Sequence, residues 1–563
     1  MKIFVAFLLF SLLFIGFFHP ITAITQDLGR HLLTGDIILK TLSVPKTNLF
    51  SYTYPNFPFI NHHWLSEVFY AFSFQSSGFN GLLILNTALI LLSFGLIIAS
   101  AYKKVGAFAL LFCSLLYLPI LFERTDVRPE SFSFLFLSLF IFILYKFREK
   151  FTKWILILPF IEFFWTNTHI YFPIGIAVVA IFLIDAISPA ILNLYQDIDP
   201  QKAPRPVKKK NIFILFFILI ASTLLTLANP NGLKGALYPF EVFQNYGYSI
   251  QENQNIFFLW NYSHNPAILF FAVSVILLFL FLIICHKKTC PADWLISIFF
   301  SILAFTAIRN FPLFFFATLI PFAKSFANIN FSLPKNLNAV FFIFLLGLFV
   351  FETQQVYAKN GFGLGEVTGA KEGVDFFLKN NLKGPIFNNF DIGSYLTYRL
   401  YPKEKVFIDG RPEAYPASFF QEAYLPMQTD EKKFELVDKK YGFKTIFFSH
   451  TDQTPWAETF LKQITKNDNW KMIYLDDFTV IFTKDKNIKT VIRTDYSDLQ
   501  SLIQLAHFFQ NKNFDDQEIK IYQKIIAINP TYCPALYGLA LKLQESQNLA
   551  SSIFTDKFQK NCQ

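Results

Sequence analysis

Long apolar runs separated by short basic loops fill the first 354 residues, and a more polar, mixed pattern follows. Stretches able to cross a hydrocarbon core of roughly 30 Å recur about eleven times. Their approximate limits are 3–19, 80–101, 105–122, 131–147, 153–167, 171–188, 211–228, 265–285, 292–308, 311–327 and 337–354. Residues 20–79 interrupt this series, being too polar to span and too long for a simple connection. Beyond Gln354, β-rich runs alternate with helix-like stretches up to residue 487, which predicts a small α/β domain over 355–487. Strands are expected at Pro385–Asn388, Lys405–Asp409, Thr445–Ser449, Trp470–Leu475 and Thr479–Phe482. Residues 496–560 carry helical periodicity in hairpin-sized blocks, such as Leu505–Phe508 and Ala535–Ala540. The predicted architecture is an α-helical polytopic membrane domain (1–354), the α/β domain and a helical repeat (496–560).

Composition agrees, with 53% hydrophobic and 16% charged residues. The 75 phenylalanines read as lipid-facing filler. A net charge of +9 does not signal nucleic acid, because the cations gather in short loops between apolar runs. With the N-terminus inside, the inner loops carry Lys103 and Lys104, Lys146 to Lys153, Lys208 to Lys210, Lys287 and Lys288, and Lys324 and Lys335. The outer loops pair their cations with acids, as in Glu123-Arg124-Thr125-Asp126-Val127-Arg128. An odd number of spans then places everything after about residue 355 outside a bacterial inner membrane. The first segment also has signal-peptide features up to Ala23, although its long apolar run favours an uncleaved anchor. No CxxC pair is present, which argues against a zinc or thioredoxin-like motif; Cys533 and Cys562 could pair in an oxidising compartment.

In the first outer loop, apolar residues at Leu28, Leu32, Ile38 and Leu39 predict a short helix on the bilayer surface, capped by Thr25 or Asp27. Asp27 and His31 fall four apart, on one helix face. A second helix beginning near His63 should feed into the next span. A carboxylate at the membrane edge suits a general base, since partial desolvation raises its basicity; an ordinary helix cap is the competing reading. Arg128 and Arg309, at outer ends of spans, could fork onto a lipid phosphate or simply snorkel to head groups. His62, His63, Glu67, Asn167 and His169 are acceptor-contact candidates. His31, His62, His63 and Glu67 could instead hold a divalent metal, but nothing in their spacing fixes that geometry, and a metal is not favoured. Asp409 and Arg411 either bind an acceptor glycan or form a structural turn. No GxGxxG or P-loop motif appears in the α/β domain.

The order Asp27, His31, Gly35-Asp36-Ile37-Ile38, Val44-Pro45 with Thr47-Asn48-Leu49-Phe50-Ser51-Tyr52-Thr53, and His62 to Glu67 resembles the first external loop of bacterial membrane glycosyltransferases of the glycosyltransferase C superfamily. The resemblance continues at Asp126-Val127-Arg128-Pro129, Trp165 to His169, Asn229-Pro230-Asn231-Gly232 and Arg309-Asn310-Phe311-Pro312. It extends to Asn389 to Tyr395 and Phe407 to Arg411. It implies a polyprenyl-phosphate sugar donor and an acidic catalytic base in the first outer loop, a role that Asp27 matches by position; His31, four residues on, is the second catalytic candidate. Gln26-Asp27 stands where many members have an adjacent acidic pair, a departure that counts against a metal-dependent variant. The 496–560 segment resembles a tetratricopeptide unit and part of a second, which implies packing on the α/β domain and a protein partner. Two rivals stay open: a non-enzymatic scaffold for envelope assembly, and a transporter. The transporter is disfavoured because charges gather at span ends rather than mid-bilayer.

Overall fold

The first outer loop and the C-terminal half meet on one face of a helical bundle in the computed structural model. It describes residues 1–22, 27–102, 104–195, 209–241, 246–248, 250–329, 335–367, 369–510, 512, 514–548 and 550–562. Ala23, Thr25, Gln26, Lys103 and Lys208, invoked above, lie outside the described residues.

The membrane half runs α1 (Lys2–Phe17), α2 (Leu28–Thr41), α3 (Trp64–Ala101), α4 (Ala107–Leu121), α5 (Glu130–Glu149), α6 (Leu158–Thr168) and α7 (Pro173–Tyr195). It continues through α8 (Lys209–Leu225), α9 (Gly232–Glu241), α10 (Ile256–Ser263), α11 (Pro266–Ile284), α12 (Pro291–Thr306), α13 (Phe311–Asn328) and α14 (Lys335–Asn360). Every predicted apolar stretch lies on helix. Among the described residues, five helices are long and apolar enough to cross a membrane: α3, α5, α11, α13 with its lead-in turn, and α14 from Val340. α1, α4, α7 as far as Ser188, and α12 are shorter apolar helices. The stretch expected at 153–167 is split. A 3-10 turn, Lys153–Ile157, precedes the 11-residue α6, whose Pro159 suits a helix start because it needs no N–H partner there. α3 leaves helical geometry at Ser77 and Gly78, which separates an outer arm beginning at Trp64 from the span that it feeds.

Phenylalanine serves two purposes. Phe314, Phe315, Phe316 and Phe322 of α13 are fully buried and meet Tyr117, Phe134, Phe271 and Phe281 ring to ring. Phe213, Phe216 and Phe217 of α8 face outward, as lipid-facing filler would. At the far end of the bundle, Tyr145 and Lys324 converge on the buried Asp293, at 2.6 and 3.1 Å, and Arg148 pairs with Asp185 at 2.6 Å. These polar groups are matched to one another, as burial requires.

The C-terminal half opens with α15 (Lys371–Lys379) and continues as β1 (Ile386–Asn388), α16 (Phe390–Leu400), α17 (Pro426–Thr429), α18 (Glu431–Tyr441), β2 (Thr445–Ser449), α19 (Pro455–Ile464), β3 (Lys471–Leu475), β4 (Thr479–Thr483) and β5 (Val491–Ile492). The sheet is mixed, in the order β1-β2-β4-β3-β5, with parallel pairing at both edges and antiparallel pairing between. Four of the five expected strands join it. Residues 405–409 do not: their extended backbone pairs with the first outer loop. Val406 N donates to Phe50 O (3.1 Å), and Tyr52 N to Val406 O (3.2 Å). The reason is local. Asn388 of β1 uses its side-chain amide to hold the backbone at Phe407 and Ile408, which leaves the other side of that segment for the loop.

α20 (Leu499–Phe509), α21 (Asp515–Ile528), α22 (Cys533–Glu545) and α23 (Ser551–Cys562) complete the chain. Leu502, Leu505, Phe508, Ile521 and Leu539 join the same core as Phe448 and Phe460, so these helices pack on the α/β domain. A disulfide joins Cys533 to Cys562, across α22 and α23.

Hydrogen bonds also tie the exit of α1 to the exit of α14. Ile21 N donates to Gly365 O and Val367 N to Ile21 O, at 3.0 and 2.9 Å. The first outer loop and the α/β domain therefore share one side of the bundle.

Candidate functional site

The head of α2 places Asp27, Arg30 and His31 at the seam between the two halves. Asp27 occupies the N-cap position, yet its side chain caps nothing and its backbone is already helical. Instead Oδ1 accepts from Arg30 Nε, three residues on, at 3.2 Å. On the far side of the seam Ser394 Oγ, on α16, lies 3.5 Å from the same oxygen. Gly410 packs so close that an added Cβ would sit 2.3 Å from Oδ1 and displace the carboxylate. The Asp27 side chain is nevertheless 34% exposed, while that of Arg30 is 5% exposed. A buried guanidinium thus holds an accessible carboxylate.

Behind it lies a buried polar layer. Gly35 lets α2 touch the α3 backbone; a Cβ there would come within 2.0 Å of Glu67 O. That contact delivers the Glu67 carboxylate to α2, where Oε1 meets His31 Nδ1 at 2.8 Å and lies 3.8 Å from Arg30 Nη1. Asn61 Nδ2 donates to the other oxygen at 2.6 Å. Burial lifts the Glu67 carboxyl to about 7, against the opposing pull of Arg30 and the Asn61 hydrogen bond. Burial, then the charge of Arg30, pushes His31 well below the usual imidazole range, so its ring stays neutral.

Three more imidazoles extend this layer. His63 touches His31 (ring centroids 5.3 Å apart), His62 (4.0 Å) and His169 (5.1 Å). Trp165 Nε1 donates to Ser133 Oγ (2.7 Å), so that hydroxyl donates in turn to His169 Nδ1 (2.9 Å) and fixes the tautomer. Asn167 accepts from Trp64 Nε1 at 2.8 Å and donates to the Ala228 carbonyl at 3.0 Å, stapling α3 and α6 to the turn that begins at Asn229. Among the described residues, no three His, Cys, Asp or Glu side chains assemble as a metal-holding group.

The cationic side of the site comes from two span ends and one outer turn. Arg128 Nη1 donates to both oxygens of Glu252, at 3.1 and 2.9 Å, and Arg124 Nη1 donates to the same carboxylate. Arg124 also forks onto Glu130, at 2.8 and 3.0 Å. Arg309 donates to Tyr171 Oη (3.0 Å) and to Asn253 Oδ1 (2.8 Å). Burial alone would raise the Glu252 carboxyl, but Arg124, then Arg128, outweigh it and hold it below the usual carboxylate range.

The two regions are electrostatically continuous. His31 feels Arg30 and Arg128, and His62 feels Arg30 and Arg309. The structure thus brings most of the sequence-predicted site residues into one region: Asp27 in front, His31, His62, His63, Glu67, Asn167 and His169 behind it, and Arg128 and Arg309 across, where His31 and His62 feel their charge. Sequence reasoning missed Arg30, Arg124, Glu252 and Glu413, the last of these feeling both Arg30 and Asp27. Arg30 was within reach, since i,i+3 spacing from Asp27 puts the two on one helix face.

Asp409 and Arg411 flank Gly410, and the charge of Arg411 reaches Arg30, His31 and Glu67. Both are buried, and Arg411 forks onto its own neighbour at 2.8 and 2.6 Å. It also donates to Asn48 at 2.9 Å and lies between the rings of Phe50 and Phe59. The structural-turn reading is the one this geometry matches.

No family model and no curated protein matches the chain. Solved structures do. The archaeal oligosaccharyltransferase AglB from Archaeoglobus fulgidus, in complex with an inhibitory peptide and a dolichol-phosphate, superimposes with a TM-score of 0.54 at 11% identity, over 86% of this chain and 74% of that one. ArnT from Cupriavidus metallidurans, bound to undecaprenyl phosphate, gives 0.50 at 12% identity, over 86% of this chain and 98% of that one. At such identities the likeness speaks for fold alone: this chain shares the fold of these two proteins.

Proposed function

We propose that this protein is a membrane glycosyltransferase acting at the outer face of a bacterial inner membrane, with its N-terminus cytoplasmic. It transfers a sugar from a polyprenyl-phosphate donor to a glycan, lipid or protein acceptor. Asp27 takes the proton from the acceptor hydroxyl. That oxygen bonds to the anomeric carbon while the carbon–oxygen bond to the phosphate breaks, and its electron pair leaves with the lipid phosphate. A single displacement inverts the anomeric centre.

The observation that carries this reading is the Asp27 carboxylate itself. It is held by a buried arginine, excused from helix capping, and open to solvent on the side of the bundle that carries Arg128 and Arg309. Those two guanidiniums receive the donor phosphate, since charge-assisted forks onto phosphate are the strongest contacts available there. His31 is a positioning residue; through Glu67 it fixes the layer that sets Arg30. The other histidines and Asn167 shape the acceptor side from behind. The dolichol-phosphate bound to AglB and the undecaprenyl phosphate bound to ArnT support a lipid-phosphate ligand for this fold.

Mass spectrometry of lipids co-purifying with the detergent-solubilised protein tests the donor class. Polyprenyl phosphate or its glycosylated form should be found in the wild type and lost when Arg128 and Arg309 are both changed to alanine. A preparation of folded protein that carries neither lipid, and binds neither when it is added, would sink the reading.

A further inference from the structure

Two consecutive residues of a single turn, Gln251–Asn253, occupy three of the site's arginines. Glu252 takes Arg124 and Arg128, and Asn253 takes Arg309. The charges do not balance. Three guanidiniums face two close carboxylates, Glu130 and Glu252, with Asp126 more distant, at 3.9 Å from Arg128. Glu130 belongs to the permanent frame, because it forks onto Arg124 from six residues away. Glu252 reaches the same arginine from 128 residues away and is 23% exposed. One donor is left over as well: Arg128 Nε is buried and makes no hydrogen bond to any described residue.

A carboxylate held between two guanidiniums presents two oxygens to their N–H groups, as two oxygens of a phosphate would. We propose that Glu252 is a displaceable counter-ion, occupying the cationic site when no lipid phosphate is bound and yielding Arg124 and Arg128 to that phosphate on binding. This rests on the reading above that Arg128 receives the donor phosphate; Arg124 joins it because it shares the same carboxylate. Glu252 spares the empty site the cost of unpaired, partly buried cations, and in exchange it competes with every incoming phosphate. Its charge therefore sets how tightly lipid phosphate is held and how readily the spent carrier leaves.

The probe is farnesyl phosphate, titrated calorimetrically into the full-length protein in a non-ionic detergent. Removing a charge-assisted competitor should tighten binding by about 10- to 100-fold in Glu252→Gln, while Glu252→Asp stays near wild type. Equal or weaker binding by a folded Glu252→Gln overturns the proposal. Arg128→Ala separates the two ideas. If it weakens binding while Glu252→Gln changes nothing, only the counter-ion role fails; if wild type and Arg128→Ala bind alike, or not at all, the phosphate reading fails first and takes this one with it. Should Glu252→Gln not fold, the decisive measurement uses Gln251→Cys. Its reaction with a charged maleimide should quicken several-fold on adding farnesyl phosphate, and an unchanged rate counts against displacement.

Discussion

Two aspartate–arginine pairs stand on either side of the seam between the membrane half and the α/β domain, and they do different jobs. Around Asp409, one residue pair saturates itself. Arg411 gives its backbone N–H, Nε and Nη2 to a carboxylate that is fully buried, and two aromatic rings close over the guanidinium. Around Asp27, one guanidinium N–H and the more distant Ser394 hydroxyl reach one oxygen, and the side chain remains 34% exposed. The residue types are the same; the number of satisfied lone pairs is not. A saturated buried carboxylate can only hold a shape, whereas an under-coordinated one still has capacity to take a proton.

Substitutions at the two pairs should separate along that line. The largest effect is expected from Asp27→Asn, which keeps size and hydrogen bonding but removes the base. Turnover of a polyprenyl-phosphate sugar should drop about 10²- to 10⁴-fold, with the apparent thermal midpoint unmoved. Arg411→Ala should do the reverse. Stranding a buried carboxylate costs on the order of 3–5 kcal/mol, visible as faster proteolysis of the C-terminal half, with activity per folded molecule retained. Equal activity losses in both variants would erase the distinction. Arg30→Gln should fall between, with turnover down about tenfold or more, in line with the loss of a charge-assisted hydrogen bond.

The smallest effect concerns the layer behind. Burial lifts Glu67 from 4.5 to about 7, so the folded chain holds that proton more tightly than the unfolded one. The resulting stabilisation is present at low pH and is lost as pH rises from 4.5 through about 7. The apparent thermal midpoint of the wild type should therefore fall across that window relative to Glu67→Gln. Parallel curves would mean that Glu67 carries no raised carboxyl.

What the sequence disclosed and what it hid follow from range. The α2 helix, the second helix from His63, four of the sheet strands and the terminal helices each depend on local periodicity, and each was legible. Asp27 and His31 were readable because four residues of helix fix their relation. Glu252 was not, because its partners lie 124 and 128 residues away and no period connects them. The 405–409 segment has the pattern of a sheet strand and is extended, but the edge it pairs with belongs to residues 50–52, a choice made by Asn388 rather than by its own side chains. Length misled once: an apolar stretch at 153–167 promised one continuous span, and Pro159 with the turn before it divides that stretch.

The empty space at Gly410 has a consequence for how the chain can be divided. A turn of the C-terminal half is moulded around a carboxylate of the membrane half, so close that an added Cβ at Gly410 would sit 2.3 Å from Asp27 Oδ1 and make that side chain shift. Cutting the protein after α14 would thus do more than discard an appendage. It would remove the turn that lies against Asp27, and the two pieces, however well each folded, would have to find each other again to restore that contact.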